Sequence, residues 1–293
     1  MRPTVFFLFF ALCGNTIFGQ SLFQYNLKAG EVYTIKQNAT QVITQNLEGA
    51  SHVITNSIDG ILEFKVIGET DGNYNIDLTF KDLNLELISS IQGKMMEVHA
   101  KEVVEGDAQS KVFHSLLEHP VHLVLAKTGD ILEVNGGEEL VEKMTASSEL
   151  QDDFSKNMMK KSLESEFGSQ ALADSYKQMT FIYPGKKVKV GDTWKNAYQG
   201  KMQTENTWTL DSLTSEHAII TGKSDVVMDI VEPATTMMLT GTQRTSITTD
   251  LSSGFVQSMT VEGTSEGTSQ ITQMGNQKIP TTIKSTVSYQ LIQ

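Results

Sequence analysis

"YPGKKVKVGDTW", residues 183–194, repeats an order of residue types first met in "YNLKAGEVYTI", residues 25–35. In each stretch a lysine is followed by a small apolar residue, a glycine, an acid, one further residue and a large aromatic. The two runs are Lys28-Ala29-Gly30-Glu31-Val32-Tyr33 and Lys189-Val190-Gly191-Asp192-Thr193-Trp194. Glycine enters backbone conformations closed to other residues. The repeat therefore predicts that Gly30 and Gly191 turn the chain into the first strand of two related halves. Tyr33 and Trp194 follow as large plugs at the start of each sheet. A second reading makes Trp194, Asp192 and Glu31 a binding platform.

The pattern downstream of each motif is that of strands with one buried face. Leu62, Phe64 and Val66 alternate with Glu63 and Lys65, and Tyr74, Ile76, Leu78 and Phe80 alternate beyond Asp71-Gly72-Asn73. Period-two alternation on both sides of an Asp-Gly turn predicts a hairpin. Leu83, Leu85 and Leu87 then continue one residue out of phase, which predicts a bulge near Lys81-Asp82. In the second half Trp208 and Leu210 begin a similar alternation, continued by Ala218, Ile220, Val226, Met228 and Ile230. A further pair of landmarks is Gly129 within Lys127–Val134 and Gly254 within Leu251–Ser258. The order of landmarks is kept in both halves, while the spacing contracts from 161 between the first pair to 125 between the second, a difference of 36 residues. One half is therefore expected to carry an insertion. The Thr- and Ser-rich stretch from Arg244 onward suits long strands with a solvated face, with Pro280 at a bend or an edge.

Between the halves the period changes. Leu140, Val141 and Met144, then Phe154, Met158 and Met159, then Leu163 and Phe167 recur at helical spacing. Gly168 is placed to close one helix and Ser169 to cap the next. This zone is the candidate for part of the extra length. The layout is α+β, dominated by antiparallel strands. It runs as a leader over 1–19, a β half over 20–136, a helical segment over 137–182 and a second β half over 183–293. A curved sheet packed on helices, folded as one compact unit, accommodates it.

The first residues, MRPTVFFLFFALCGNTIFGQ, carry one positive charge and then an apolar run shorter than a membrane span, the pattern of a secretory signal cut after Gly19. The mature chain would hold 22 Lys+Arg and 35 Asp+Glu, a formal charge of −13, which disfavours nucleic acid as a partner. The expected location is periplasmic or extracellular. Cys13, the only cysteine, lies within the leader. Anchoring through a lipid on Cys13 is the minor alternative, since Leu12 precedes it rather than a small residue.

Motifs for chemistry are sparse. Gly263-Thr264-Ser265-Glu266-Gly267 spells a nucleophile elbow, but neither Asp nor His follows it and its flanks read as strand. His114, His119 and His122 cluster near Glu118, yet Pro120 disfavours the continuous helix that would align them as metal ligands, and a solvated turn before the strand His122–Leu125 is expected instead. Asp82, Asn84 and Glu86 share a strand face without the glycine-centred loop of a dedicated calcium site. Neither a phosphate-cradling loop nor a dinucleotide fingerprint occurs, so cofactors and metals are not expected. Methionine is the unusual feature: 13 in all, including the pairs Met95-Met96, Met158-Met159 and Met237-Met238. Thioethers suit either a cavity for apolar ligands or an irregular core. Phe154, Met158, Met159, Met237, Met238 and Trp194 are the candidate ligand-binding residues.

The run from Tyr183 to Trp194, with its Val-x-Val-Gly-Asp-x-Trp core, resembles the signature of uncharacterised secreted proteins of Bacteroidota, a family of unknown function. The leader ending in Phe18-Gly19-Gln20 is similar to theirs. That resemblance implies no catalytic residue. The layout is also similar to periplasmic lipoprotein carriers, whose concave face holds acyl chains. The expected function is an exported, non-enzymatic binding or envelope-associated protein that holds a lipid or other apolar small molecule between sheet and helices. The alternatives are a structural or protein-interaction module using its Thr/Ser-rich strands, and a hydrolase whose site converges only in the fold.

Overall fold

The two lysine–glycine–acid motifs form the same turn. Gly30 and Gly191 have φ of 89° and 90°. The amide of Glu31 donates to the Lys28 carbonyl at 3.1 Å, and that of Asp192 to the Lys189 carbonyl at 3.0 Å. Each acid also accepts from the lysine amide, Glu31 Oε2 at 2.9 Å and Asp192 Oδ2 at 3.1 Å. The acid thus closes its turn through both backbone and side chain, which accounts for its fixed place after the glycine. The computed structural model describes residues 21–47, 49–231, 235–272 and 277–293; the expected leader, with Cys13, lies outside the described residues.

The first half comprises β1 (Ser21–Leu22), β2 (Val32–Leu47), β3 (Ala50–Thr70), β4 (Asn73–Ser89), β5 (Gly93–His99), α1 (Ala108–Leu116), β6 (Pro120–Leu125) and β7 (Ile131–Asn135). Three helices follow: α2 (Gly137–Ser147), α3 (Asp153–Phe167) and α4 (Ser169–Thr180). The second half is β8 (Lys187–Val188), β9 (Thr193–Tyr198), β10 (Met202–Leu213), β11 (His217–Val231), β12 (Thr235–Asp250), β13 (Val256–Ile271) and β14 (Lys278–Leu291). Strands β1 and β8 form a small pair, and the other twelve form one antiparallel sheet. Its order is β7-β6-β4-β3-β2-β14-β13-β12-β11-β10-β9, with β5 added to β4.

That order gives the duplication a geometric meaning. The first half starts at the centre of the sheet and proceeds outward to β7; the second starts at the far rim with β9 and proceeds inward to β14. Both halves therefore advance in the same direction, and the chain must cross from one rim to the other between them. Helices α2 to α4 make that crossing, and α4 packs against both rim strands, β7 and β9. Gly129 follows β6 as Gly254 follows β12, so the landmarks hold equivalent places. The matched turns occupy different positions in the sheet: Gly30 opens a central strand and Gly191 a rim strand.

Local expectations meet the structure at several points. Thr70 pairs with Asn73 across Asp71 and Gly72, whose φ values of 52° and 81° suit the tight hairpin. Register shifts between Ile61 and Leu62 as their partners jump from Asp82 to Phe80, making Lys81 the extra residue of a bulge. Pro280 pairs with Thr268 on β13, and pairing of β14 with β2 begins only at Thr281, so the proline stands where its strand has one neighbour.

Three readings need correction. Gly129 lies 99 residues after Gly30, and Gly254 lies 63 after Gly191, so the extra 36 residues fall inside the first half and not in the helical zone. They belong to the β5–α1 excursion and to longer opening strands. The segment before β6 is a helix rather than only a solvated turn: α1 is capped by Asp107 and buries Val112 and Leu116 four residues apart. Ser169 is the first residue of α4 and makes no capping bond; its hydroxyl bonds Glu138 of α2 instead.

The principal core lies between one face of the sheet and the helices. Leu140, Val141 and Met144 of α2 and Leu172, Tyr176 and Met179 of α4 are buried there, with Ile35, Leu62, Phe64 and Trp208 from the sheet. The segment Phe23–Leu27 straps the two later glycine turns together. The amide of Tyr25 donates to the Lys127 carbonyl at 2.8 Å and that of Asn26 to the Ser253 carbonyl at 2.7 Å. The Tyr25 hydroxyl donates to the Thr180 carbonyl, so the strap also pins the end of α4.

Candidate functional site

Where the helices depart from the sheet, a cleft of about 400 Å³ remains. Alternation on the strands presents Gln37 of β2, Asn56 and Ile58 of β3, Leu83 and Leu85 of β4 and Tyr289 of β14 to it. Met96 of β5 and Phe113 of α1 close one side, and Leu163, Phe167, Leu172 and Tyr176 of α3 and α4 form the opposite wall. The rings interlock edge to face: Phe80 with Phe167 at 6.0 Å and Phe113 with Phe167 at 6.3 Å. A preformed cleft of this size with mostly apolar walls is within the range that holds a small molecule.

Two features distinguish it from a packing defect. Tyr176 and Tyr289 line it, and neither phenol bonds a described residue, so each hydroxyl is left open to the cleft. Burial raises the pKa of Tyr176 far above the phenol range, with Tyr289 adding to the rise, and burial pushes Tyr289 up to about 12. Both therefore remain hydroxyl donors at neutral pH. Gln37 and Asn56 add half-buried amides on the sheet side. The cleft thus combines apolar walls with a few polar groups able to orient a ligand.

None of the six residues expected to bind ligand lines this cleft. Phe154 and Met158 lie on the solvent side of α3, 76% and 50% exposed, while Met159 packs against the core. Met237 joins a separate small cluster of Val226, Met228, Leu239 and Ile283, and Met238 points outward at 67% exposure. Trp194 is buried in register with Trp208, its ring N–H donating to the Ile182 carbonyl at 2.9 Å. Glu31 and Asp192 are committed to their own turns, so the platform reading does not describe Trp194 and its neighbours. The strand residues of the lining share their faces with the core, and the helical ones share their stripes with it, so periodicity alone carries no signal that separates the two.

The remaining candidates disperse. His114 Nδ1 lies 2.9 Å from the Ala100 carbonyl, His122 Nδ1 lies 3.1 Å from Asp77 Oδ1, and His119 has its pKa lowered by burial and then by Lys143. Asp82 faces Lys101, Glu86 faces Lys94 and Asn84 contacts His99. Ser265 sits mid-strand in β13, 4% exposed, rather than at a strand-to-helix elbow. Among the described residues, three or more His, Cys, Asp or Glu side chains nowhere gather as a metal site would require, and no helix is long and apolar enough to cross a membrane.

Residues 71–256 match the model of a family of unknown function (DUF6263), and the chain belongs to that family. No curated protein matches. Among solved structures, one described as lipid–protein interactions in lipovitellin superposes with a TM-score of 0.51 at 11% identity, covering 92% of this chain and 26% of that one. The chain thus spans about a quarter of that protein's length, and the likeness concerns the open antiparallel sheet. DynF from the dynemicin biosynthesis pathway of Micromonospora chersina aligns over 93% of this chain and 84% of its own at 6% identity, with a TM-score of 0.25. An outer membrane channel from Pseudomonas putida F1 aligns over 92% and 98% at 9% identity, with a TM-score of 0.24.

Proposed function

We propose that this member of the family is an exported, non-enzymatic carrier that holds one apolar or amphiphilic small molecule between its sheet and its helices. The observation that carries the reading is the cleft itself, in which aromatic and aliphatic walls surround two tyrosines whose hydroxyls are open to the cleft. A ligand carbonyl or hydroxyl would satisfy those hydroxyls, and its chain would cover the apolar walls, each Å² removed from water contributing about 25 cal/mol. The sheet likeness to lipovitellin, whose structure is described in terms of lipid–protein interactions, supports a lipid as the ligand class. Export follows from the leader-like first residues. With a volume near 400 Å³ the cleft suits one small molecule rather than a lipid pool.

The test is native mass spectrometry of the mature protein purified without detergent. One retained amphiphile per chain is the expected result. A ligand-free protein that also fails to bind an apolar fluorescent probe would overturn the reading.

A further inference from the structure

The apolar cleft shares Glu166 and Ser175 with a second groove of about 350 Å³ between α3, α4 and the β9–β10 turn, lined in part by charged and amide side chains. Its charged lining is Glu164, Glu166, Asp174 and Lys201, three carboxylates against one ammonium, with Gln170 and Gln178 as neutral donors and acceptors. Lys201 is engaged with Glu166 at 3.0 Å, and Glu164 lies 3.9 Å from Lys160. Asp174 accepts from Gln170 Nε2 at 2.9 Å. The missing side chain of Gly200 leaves space beside the Asp174 carboxylate, because a Cβ there would lie 2.8 Å from Oδ2.

We infer that the ligand is an amphiphile whose apolar portion lies in the cleft beside Tyr176 and Tyr289 and whose uncharged or cationic head occupies this acid-lined groove. The inference rests on the cleft being the binding site, and adds which end of the ligand goes where and which head group is refused. A polar linkage on the ligand can pair with the tyrosine hydroxyls, and hydroxyl or cationic groups on its head suit the carboxylates of the groove. An anionic head would approach Asp174 as well as Glu164 and Glu166, where like charges repel.

The experiment compares three probes with the same twelve-carbon chain length, each below its critical micelle concentration: monolauroylglycerol, dodecyltrimethylammonium and laurate. Affinities are read by calorimetry on the full mature protein. The neutral and cationic probes should bind at least about tenfold more tightly than laurate. The double variant Glu166→Gln, Asp174→Asn alters groove side chains outside the core, and circular dichroism checks its fold. It should narrow that gap by strengthening laurate. Laurate binding as tightly as the others, or an unchanged preference in the double variant, would overturn the head-group assignment while leaving the cleft reading intact. Failure of all three probes to bind the folded protein would overturn both.

Discussion

Tyr33 stacks on Phe255 with ring centroids 4.0 Å apart and planes 9° from parallel, tying the opening strand of the first half to the glycine turn of the second. Phe255 also meets Tyr25 and Phe64 edge to face, at 6.1 and 6.0 Å. This aromatic knot lies where the strap, the sheet and the helical crossing converge. Replacing Phe255 with Ala removes its contacts with all three rings. The expected loss is about 3–5 kcal/mol, read from the denaturant midpoint at unchanged m-value.

The glycines of the duplicated frame are not equivalent in their tolerance. A Cβ on Gly30 meets nothing within 4 Å, whereas one on Gly129 falls 1.8 Å from the Thr180 carbonyl oxygen. Both have φ of 89°, so the backbone penalty is shared, about 1–2 kcal/mol for an L-residue. Gly30→Ala should cost about that much and leave a cooperative fold. Gly129→Ala must in addition move the end of α4 away from the β6–β7 turn. It should cost about 3 kcal/mol or more in thermal unfolding. Equal losses at the two positions would contradict the close approach.

Legibility in the sequence follows the range of the interaction. The Asp71-Gly72 hairpin, the bulge at Lys81 and the paired glycine turns are fixed by neighbours within a few residues, and each is readable from alternation and turn chemistry. The closure of the sheet between β2 and β14 and the rim position of β9 are not, because long-range pairing leaves no local mark. The cleft shares that difficulty. Ile58 and Leu85 lie in register on the same inward face as buried Leu62 and Leu83, and only the placement of the helices separates cleft from core. The methionine pairs, by contrast, held information that adjacency makes plain. Neighbours on a strand point to opposite faces, so Met96 lines the cleft while Met95 is half exposed, and Met237 is sheltered while Met238 is not.

Alkaline pH should unfold this protein in a way tied to its tyrosines. Tyr25, Tyr176, Tyr183, Tyr198 and Tyr289 all have raised pKa values, chiefly through burial. Above the ordinary phenol pKa of about 10 the unfolded chain releases protons that the folded chain retains, so stability falls as pH rises. Below that pH the contribution is complete. Tyrosinate absorbance and near-UV circular dichroism should change together above pH 10, with the Tyr289 value of about 12 within the window. Ionisation of these five rings without loss of tertiary signal would contradict their burial.

Asp250 contributes in the opposite direction. Burial works to raise its pKa, but bonds from Ser252 and Ser253 outweigh that and hold it below the usual carboxylate range. Its Oδ2 accepts from the Ser253 amide at 2.8 Å and from the Ser253 hydroxyl at 2.6 Å, which fixes the turn leading to Phe255. A depressed folded value means that this stabilisation is present above the unfolded pKa and is lost as pH falls through the folded one. Asp250→Asn should therefore lower the melting temperature at neutral pH and show a smaller further loss on acidification than the parent protein. Parallel acid profiles for the two proteins would refute that role.

Arginine substitutions at Leu85 and Phe154 separate the cleft from the helical stripe that the sequence alone suggests. Leu85 is half-buried in the cleft wall, while Phe154 is 76% exposed on α3 and lies away from it. An arginine at position 85 can extend toward the cleft mouth, so the fold has an outlet for the charge, but its stem and guanidinium then occupy the apolar volume. Binding of an apolar fluorescent probe should fall by about tenfold or more in Leu85→Arg, a loss of about 1.4 kcal/mol or above. Phe154→Arg should bind as the parent does, since it removes no wall. The reverse ranking, with both variants folded by circular dichroism, would move the site from the sheet–helix cleft to the outer face of α3.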